Sequence, residues 1–352
     1  MAYVDLVDTA ELIISCPRGR RVCAELVAEC DGGFLGRVWE AAGRIAGRDG
    51  SSGDPAAGVA AAIQAFGADA IERLSEEIVV GAVAEATDFA RYWQEPDEFD
   101  RVYAQPSVVT ALRSVADALV RSPPFELLNS PVDRAGQRWV QWWHDGGWYP
   151  EQPSATGDAD MRQWRNQVVA AEERARRELG VDPNDNWSGE WWSTPSLECP
   201  ATSRALPWLG ALRLAAMEDS MGWERARVWP VALNEPVRVL EIDGPTAWRA
   251  LVDAYPLRVT ASRRHDWYRA VGRNGEWFIP DWAAVGAEYD AVHLSAVGYL
   301  TTPGRAIDVA GGATVLAGWD PDLTYWLRRD RFVLVDDPVE WRRIDGQWRR
   351  AI

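Results

Sequence analysis

The sequence predicts an α+β protein with three parts: an N-terminal helical bundle, a Trp-rich bridging region and a C-terminal mixed-sheet α+β domain. Three observations predict it. Apolar residues recur at helical spacing through residues 1–125, with breaks at Gly or Pro clusters. Residues 126–205 change character, to indoles mixed with Gly, Pro and Asp. Residues 206–352 then turn to strand alternation, broken by short helical stretches. A chain of 352 residues is long enough for about two domains, and a 47% apolar composition is ample for a core.

Within the bundle, a short first helix ends near Ser15, and a second runs from Arg20 to Cys30 once Pro17 and Gly19 have broken the chain direction. A third spans Leu35 to Ala46. After a loop over 47–55 comes an alanine-rich stretch, Ala56 to Leu74. Glu76 to Trp93 places Ile78, Val79, Ala82, Val83, Ala86 and Phe89 on one face and stops before Pro96. Asp97 and Glu98 then open another helix, where carboxylates suit the macrodipole, although the aromatic and acidic run from Arg91 to Asp100 also fits a ligand wall. The last helix, Ser107 to Val120, carries Val108, Leu112, Val115 and Leu119 and stops at Pro123 and Pro124.

The bridging region is too aromatic for disorder. It holds one helix, from about Asp160 to Leu179, with Glu172, Glu173, Arg176 and Arg177 on its solvent side and Gly180 after its end. Trp187 to Pro195 cannot form a long helix yet carries three indoles, so it is either a cover or the wall of a cleft. In the last part, strands are expected at Val228–Leu233, Val237–Ile242, Ala291–Leu294 and Thr314–Ala317. Pro245 and Asp281 open short helices. The C-terminus reads as a hairpin, with Trp341–Ile344 turning at Asp345-Gly346 into Gln347–Ala351.

Composition excludes more than any motif does. The chain has no lysine, so all 37 basic residues are arginine. A Schiff base, pyridoxal phosphate chemistry and a P-loop lysine are therefore excluded. A net charge of −16 disfavours nucleic acid and anionic lipid, and favours a small-molecule ligand or a basic protein partner. The N-terminus lacks a signal-peptide pattern and no apolar run reaches about 18 residues, so a soluble cytoplasmic protein with no membrane partner is expected. The 21 tryptophans offer flat faces for a core or for the rings of a ligand.

Metal ligation has no support in the sequence. Cys16, Cys23 and Cys30 are spaced by seven, which on a continuous helix separates neighbours by about 10.5 Å, too far to share an ion bound at about 2.3 Å per bond. The three histidines show no paired spacing. No Gly-x-Gly-x-x-Gly, Gly-x-Ser-x-Gly or Cys-x-x-Cys occurs.

Three clusters carry the candidate chemistry. Strand alternation puts His293 and Ser295 on one face, where they could serve as acid, base or ribose donor, or sit as a satisfied core histidine beside a hydroxyl. Arg263 and His265 fall in a cationic and aromatic loop suited to an anionic ligand. Asp320 and Asp322 follow Trp319 at a strand end. There they either open a helix, with Asp320 as N-cap and Pro321 in its first turn, or converge with Trp319 and His293 on one pocket.

Tyr299-Leu300-Thr301-Thr302 and Trp192-Ser193-Thr194 resemble the strand-borne Ser-Thr element of ADP-ribosyltransferases. The C-terminal half otherwise looks like hypothetical proteins of high-GC bacteria. The ADP-ribosyltransferase resemblance covers a few residues and implies NAD as a substrate, Arg238 or His293 as the early-strand residue, and Asp320 or Asp322 as the late carboxylate, where that family usually has Glu. The expected function is binding, and transformation by a lysine-independent transferase or hydrolase, of a nucleotide-like ring in a Trp-lined cleft. The alternative is an interaction module, immunity or regulatory, with an acidic Trp-rich surface.

Overall fold

A computed structural model describes residues 3–47, 53–150, 152, 161–196 and 198–351. Met1, Ala2, part of the loop expected over 47–55 and the helix start expected at Asp160 lie outside the described residues. Helical spacing gives α1 (Tyr3–Ser15), α2 (Pro17–Cys30), α3 (Phe34–Ile45), α4 (Ala57–Ala65), α5 (Glu76–Asp88), α6 (Glu98–Tyr103), α7 (Pro106–Arg121) and α8 (Phe125–Leu128). On α7 the expected face, Val108, Leu112, Val115 and Leu119, is buried. Asp97 caps α6 by accepting from the Asp100 amide at 2.7 Å.

Several helix boundaries differ from expectation; the alanine-rich stretch Ala56–Leu74, for one, is α-helical only as far as Ala65. Helix α5 stops at Asp88 rather than Trp93, and the Arg91 guanidinium donates to the freed carbonyls of Asp88 and Ala90. Pro17 opens α2, since a missing N–H costs nothing there, so Gly19 lies inside the helix instead of breaking it. A Cβ on Gly19 would fall 2.1 Å from the Ile13 carbonyl oxygen and 2.5 Å from that of Leu300. The missing side chain lets α2 lie backbone to backbone on the C-terminal half.

The rest of the chain supplies β1 (Gln137–His144), β2 (Gly147–Tyr149), α9 (Met161–Glu178), β3 (Ala201–Arg204), β4 (Arg225–Leu233), β5 (Val239–Ile242) and α10 (Pro245–Ala254). There follow β6 (Pro256–Arg258), α11 (Thr260–Val271), β7 (Phe278–Pro280), α12 (Trp282–Glu288), β8 (Ala291–Leu294), α13 (Ala296–Thr301), β9 (Ile307–Val309) and β10 (Gly312–Thr314). The last strands are β11 (Leu323–Trp326), β12 (Phe332–Leu334), β13 (Val339–Ile344) and β14 (Gln347–Arg350). Ten strands form one mixed sheet whose main order is β14-β13-β4-β1-β3-β11-β8-β5, with β2 beside β1 and β12 beside β4. Only β5 and β8 pair in parallel within it among the described residues. The Trp-rich stretch thus contributes β1 and β3 to the middle of this sheet.

Alternation divides the sheet's side chains between two cores. Val140, Trp142, Ala201, Val228, Leu294 and Tyr325 join the large cluster that includes the helices, whereas Trp139, Val231, Ala291 and Trp326 pack with Phe332 on the other face. Tertiary contacts override several local expectations. His265 and Arg263 lie on α11 rather than in a loop. Glu172 is buried rather than on the solvent side of α9, because its carboxylate accepts the Ala261 and Ser262 amides at 3.0 and 2.8 Å and caps α11. No helix follows Asp320; the β-prone run Leu323-Thr324-Tyr325-Trp326 enters the sheet as β11.

Candidate functional site

A cavity of about 870 Å³ opens on the large-core side, walled by Trp142, Trp191, Trp192 and Trp223, with Glu218, Asp320, Arg213 and Tyr325 among its polar groups. Strand β1 supplies Trp142, whose ring stacks on Trp223 at 4.9 Å between centroids and 13° between planes. The 187–195 loop supplies the opposite indoles and is therefore a cleft wall. It is pinned by its own carbonyls: Trp267 Nε1 donates to Trp191 O at 2.7 Å and Trp282 Nε1 to Ser193 O at 3.0 Å. Arg263 adds a bond to Trp192 O and a 2.7 Å ion pair with Glu190. Gly318, at φ +82°, leaves room for the loop, since a Cβ there would sit 3.1 Å from that of Trp192.

Two carboxyl groups meet in this wall. Asp320 accepts from Arg213 Nε at 2.8 Å through Oδ2 and from the Glu218 backbone N–H at 2.8 Å through Oδ1. Glu218 is 6% exposed. Its Oε1 accepts from the hydroxyls of Tyr92 and Tyr299, each at 2.9 Å, while Oε2 is buried with no hydrogen-bond partner. Burial, reinforced by Asp320, raises the Glu218 carboxyl well above the usual range. Burial also raises Asp320, against the opposing pull of Arg213. The arrangement offers flat apolar faces beside two buried carboxyl groups whose pKa values burial raises, which suits polar groups on a ring.

The structure distributes the sequence-named residues over several places. Asp320 lines the cleft and Tyr299 supports its neighbour Glu218. Trp319 does not line it: the indole is fully buried, edge-on to Tyr325 and tilted against Trp282. His293 is brought together with Asp322, not Asp320. Its Nδ1 lies 2.6 Å from Glu241 Oε2 and its Nε2 lies 3.2 Å from Asp322 Oδ1. Parallel register places Glu241 opposite His293, and Asp322, at φ +56°, turns back onto Arg204 at 2.8 Å. Burial alone would lower the His293 pKa, but bonds to Asp322 and Glu241 hold it up at about 9. The result is a buried ionic chain on the sheet's smaller-core side, closed to solvent at His293.

Ser295 caps α13 by accepting the Gly298 amide at 3.0 Å. The Arg238 guanidinium lies 5.2 Å from the Tyr289 ring centroid, ahead of edge strand β5. His265 is buried in α11, where burial and then Arg264 lower its pKa. Sequence reasoning missed Glu218, Arg213 and the Trp142–Trp223 pair. A Glu-Asp step after a small apolar run carries no local signature, and nothing in the sequence joins two indoles on separate strands and loops.

Among the described residues, no group of three or more His, Cys, Asp or Glu side chains could hold a metal ion. No described helix is long and apolar enough to cross a membrane. Comparison with family models, curated proteins and solved structures returns no match to this chain.

Proposed function

We propose that the protein binds a ring-bearing small molecule in the Trp-lined cleft. One observation carries the reading: a cavity of about 870 Å³ that combines five indoles, Trp139 among them, with the buried Glu218 and Asp320. That size lies within the range of small-molecule sites, and indole faces beside a few fixed polar groups are the usual makeup of such sites. The nucleotide-like version, with NAD consumed by a transferase or glycohydrolase, rests on the short hydroxyl-rich resemblance alone. NAD therefore belongs in the ligand panel beside nucleosides and sugars. The reading takes the protein as cytoplasmic, where the unpaired Cys16, Cys23 and Cys199 would stay reduced. Tryptophan fluorescence across the panel tests it: a saturable change that Trp192→Ala weakens is expected, and a flat response to every compound would refute it.

A second reading, docking of a basic partner, is favoured by a neighbouring groove of about 530 Å³. There Glu77, Glu85 and Asp88 of α5 face Trp208, Trp223 and Trp348. An arginine-rich peptide that binds in a salt-dependent way, and loses affinity with Glu85→Gln and Asp88→Asn together, would support it. Binding indifferent to salt and to both changes would remove it.

A further inference from the structure

A row of side chains crosses five neighbouring strands on the sheet face turned away from the large core. Register sets it out: Trp148 of β2 pairs with Trp143 of β1, Arg225 of β4 with Arg342 of β13, and Arg342 with Arg349 of β14. Trp143 and Arg225 join the two parts, because Trp142 pairs with Ala226 and their strands run antiparallel. Ala226, Trp341 and Trp348 turn into the large core, so the alternate residues point the other way. Arg342 and Arg349 are exposed, while Arg225 and the two indoles are half-buried. Like charges directly opposite one another on a sheet destabilise it. The chain carries 53 acidic residues, yet Arg225, Arg342 and Arg349 have no carboxylate partner among the described residues. Their neighbour Arg227, by contrast, donates through two nitrogens to Glu340 Oε1 at 3.0 and 2.9 Å. The Arg225 guanidinium lies over indoles instead, 4.8 Å from the Trp143 ring centroid and 5.6 Å from that of Trp148, which fixes its position and leaves its charge in place.

We infer that this row binds single-stranded nucleic acid, with the three arginines on phosphates and the indoles against bases. Adjacent strands stand about 4.8 Å apart, so the row spans roughly 19 Å, the length of a few nucleotides. Cationic side chains beside aromatic ones suit a single strand, because its phosphates are charged and its base faces are open. A duplex hides its base faces and carries one charge per about 1.7 Å, which the net charge of −16 opposes more strongly. An acidic protein segment would meet the arginines but leave the indoles unused. None of the five residues lines the cleft or the neighbouring groove, so this surface is independent of both.

Fluorescence anisotropy of end-labelled oligo(U) and oligo(dT), each of about twelve nucleotides, with the full chain tests the assignment. Both should bind saturably, since phosphates and base faces are common to RNA and DNA. The logarithm of affinity should fall with that of salt concentration with a slope of about −2, from three phosphates at about 0.7 each. Arg342→Gln and Arg349→Gln, at exposed positions, should each weaken binding about threefold or more and together flatten the slope to about −0.7. Trp148→Ala should weaken binding about fivefold or more and leave the slope unchanged. Thermal melting of each variant separates lost binding from lost folding, and if Trp148→Ala does not fold, the two arginine changes decide. Failure of both oligonucleotides to bind, or equal binding by the double arginine variant, would overturn the assignment and leave the row as a guard of the sheet edge at β14. Competition by an oligoglutamate peptide or by tripolyphosphate as effective as that by unlabelled oligo(U) would show a site for charge alone and overturn nucleic acid as the partner. In every case the readings of the cleft and the groove are untouched.

Discussion

A single histidine shows how the environment decides the role of a rare side chain. Between Glu241 and Asp322, with no exposure of its own, His293 is held protonated at neutral pH, its pKa raised from 6.5 to about 9. A proton bound more tightly in the fold than in the unfolded chain stabilises the fold fully below pH 6.5, and that contribution fades as pH rises through about 9. The shift corresponds to roughly 3 kcal/mol. Urea unfolding across this window should therefore show stability falling toward pH 9 in the parent, and a much smaller slope in His293→Gln. An equal slope in both would mean that another group titrates. His293→Ala, which leaves Asp322 buried beside Arg204 without its second partner, should cost about 3–5 kcal/mol at pH 7, a loss readable from the same denaturation curves. The sequence showed His293 as scarce and strand-borne but not that Glu241, 52 residues away, stands beside it. Register between parallel strands is a long-range property.

At the scale of elements, the loop that walls the cleft and the helix behind it depend on each other. Trp267 and Arg263 of α11 hold the carbonyls of Trp191 and Trp192, and α11 is itself capped by Glu172 of α9. Glu172→Gln removes the charge from that cap and should lower stability by about 1 kcal/mol. Calorimetry checks this, and a melting temperature equal to the parent's would show that the cap contributes nothing. Helix existence was widely legible because a 3.6-residue period is written locally, as on α7. The hairpin turn was legible for the same reason: Asp345 and Gly346 adopt φ +51° and +78° between β13 and β14, a conformation that Gly reaches freely because it lacks a Cβ and that Asp tolerates. The Asp320-Pro321-Asp322 step was not legible. Its side chains suit a helix start, but β3 and β8 accept the following residues as a strand, and Asp322 bonds to Arg204 instead.

Across the whole molecule, one hydrophobic cluster runs from Ala10 in α1 through the helices and the sheet to Leu327 and Trp341. Gly19 against Leu300, and Tyr92 with Tyr299 on Glu218, are close ties between the N-terminal helices and the C-terminal half. Both halves should therefore unfold together, in one calorimetric transition whose van't Hoff and calorimetric enthalpies agree; two resolved transitions would show that the halves are energetically separate. The change of period along the sequence indicated where helices give way to strands, yet it could not show that β1 and β3 of the Trp-rich stretch would stand at the sheet's centre. Nor could it show that indoles from residues 142, 191, 192 and 223 would line one cavity beside Glu218 and Asp320.

That cavity is the centre of the functional reading, and isothermal titration of the parent and of a Trp191→Ala, Trp192→Ala double variant against the sugar, nucleoside and nucleotide panel tests it most directly. One compound should bind the parent with one-to-one stoichiometry and bind the folded double variant at least about tenfold more weakly, since two aromatic faces each contribute on the order of 1 kcal/mol. Equal affinity in both proteins would place the ligand outside the cleft and contradict the reading.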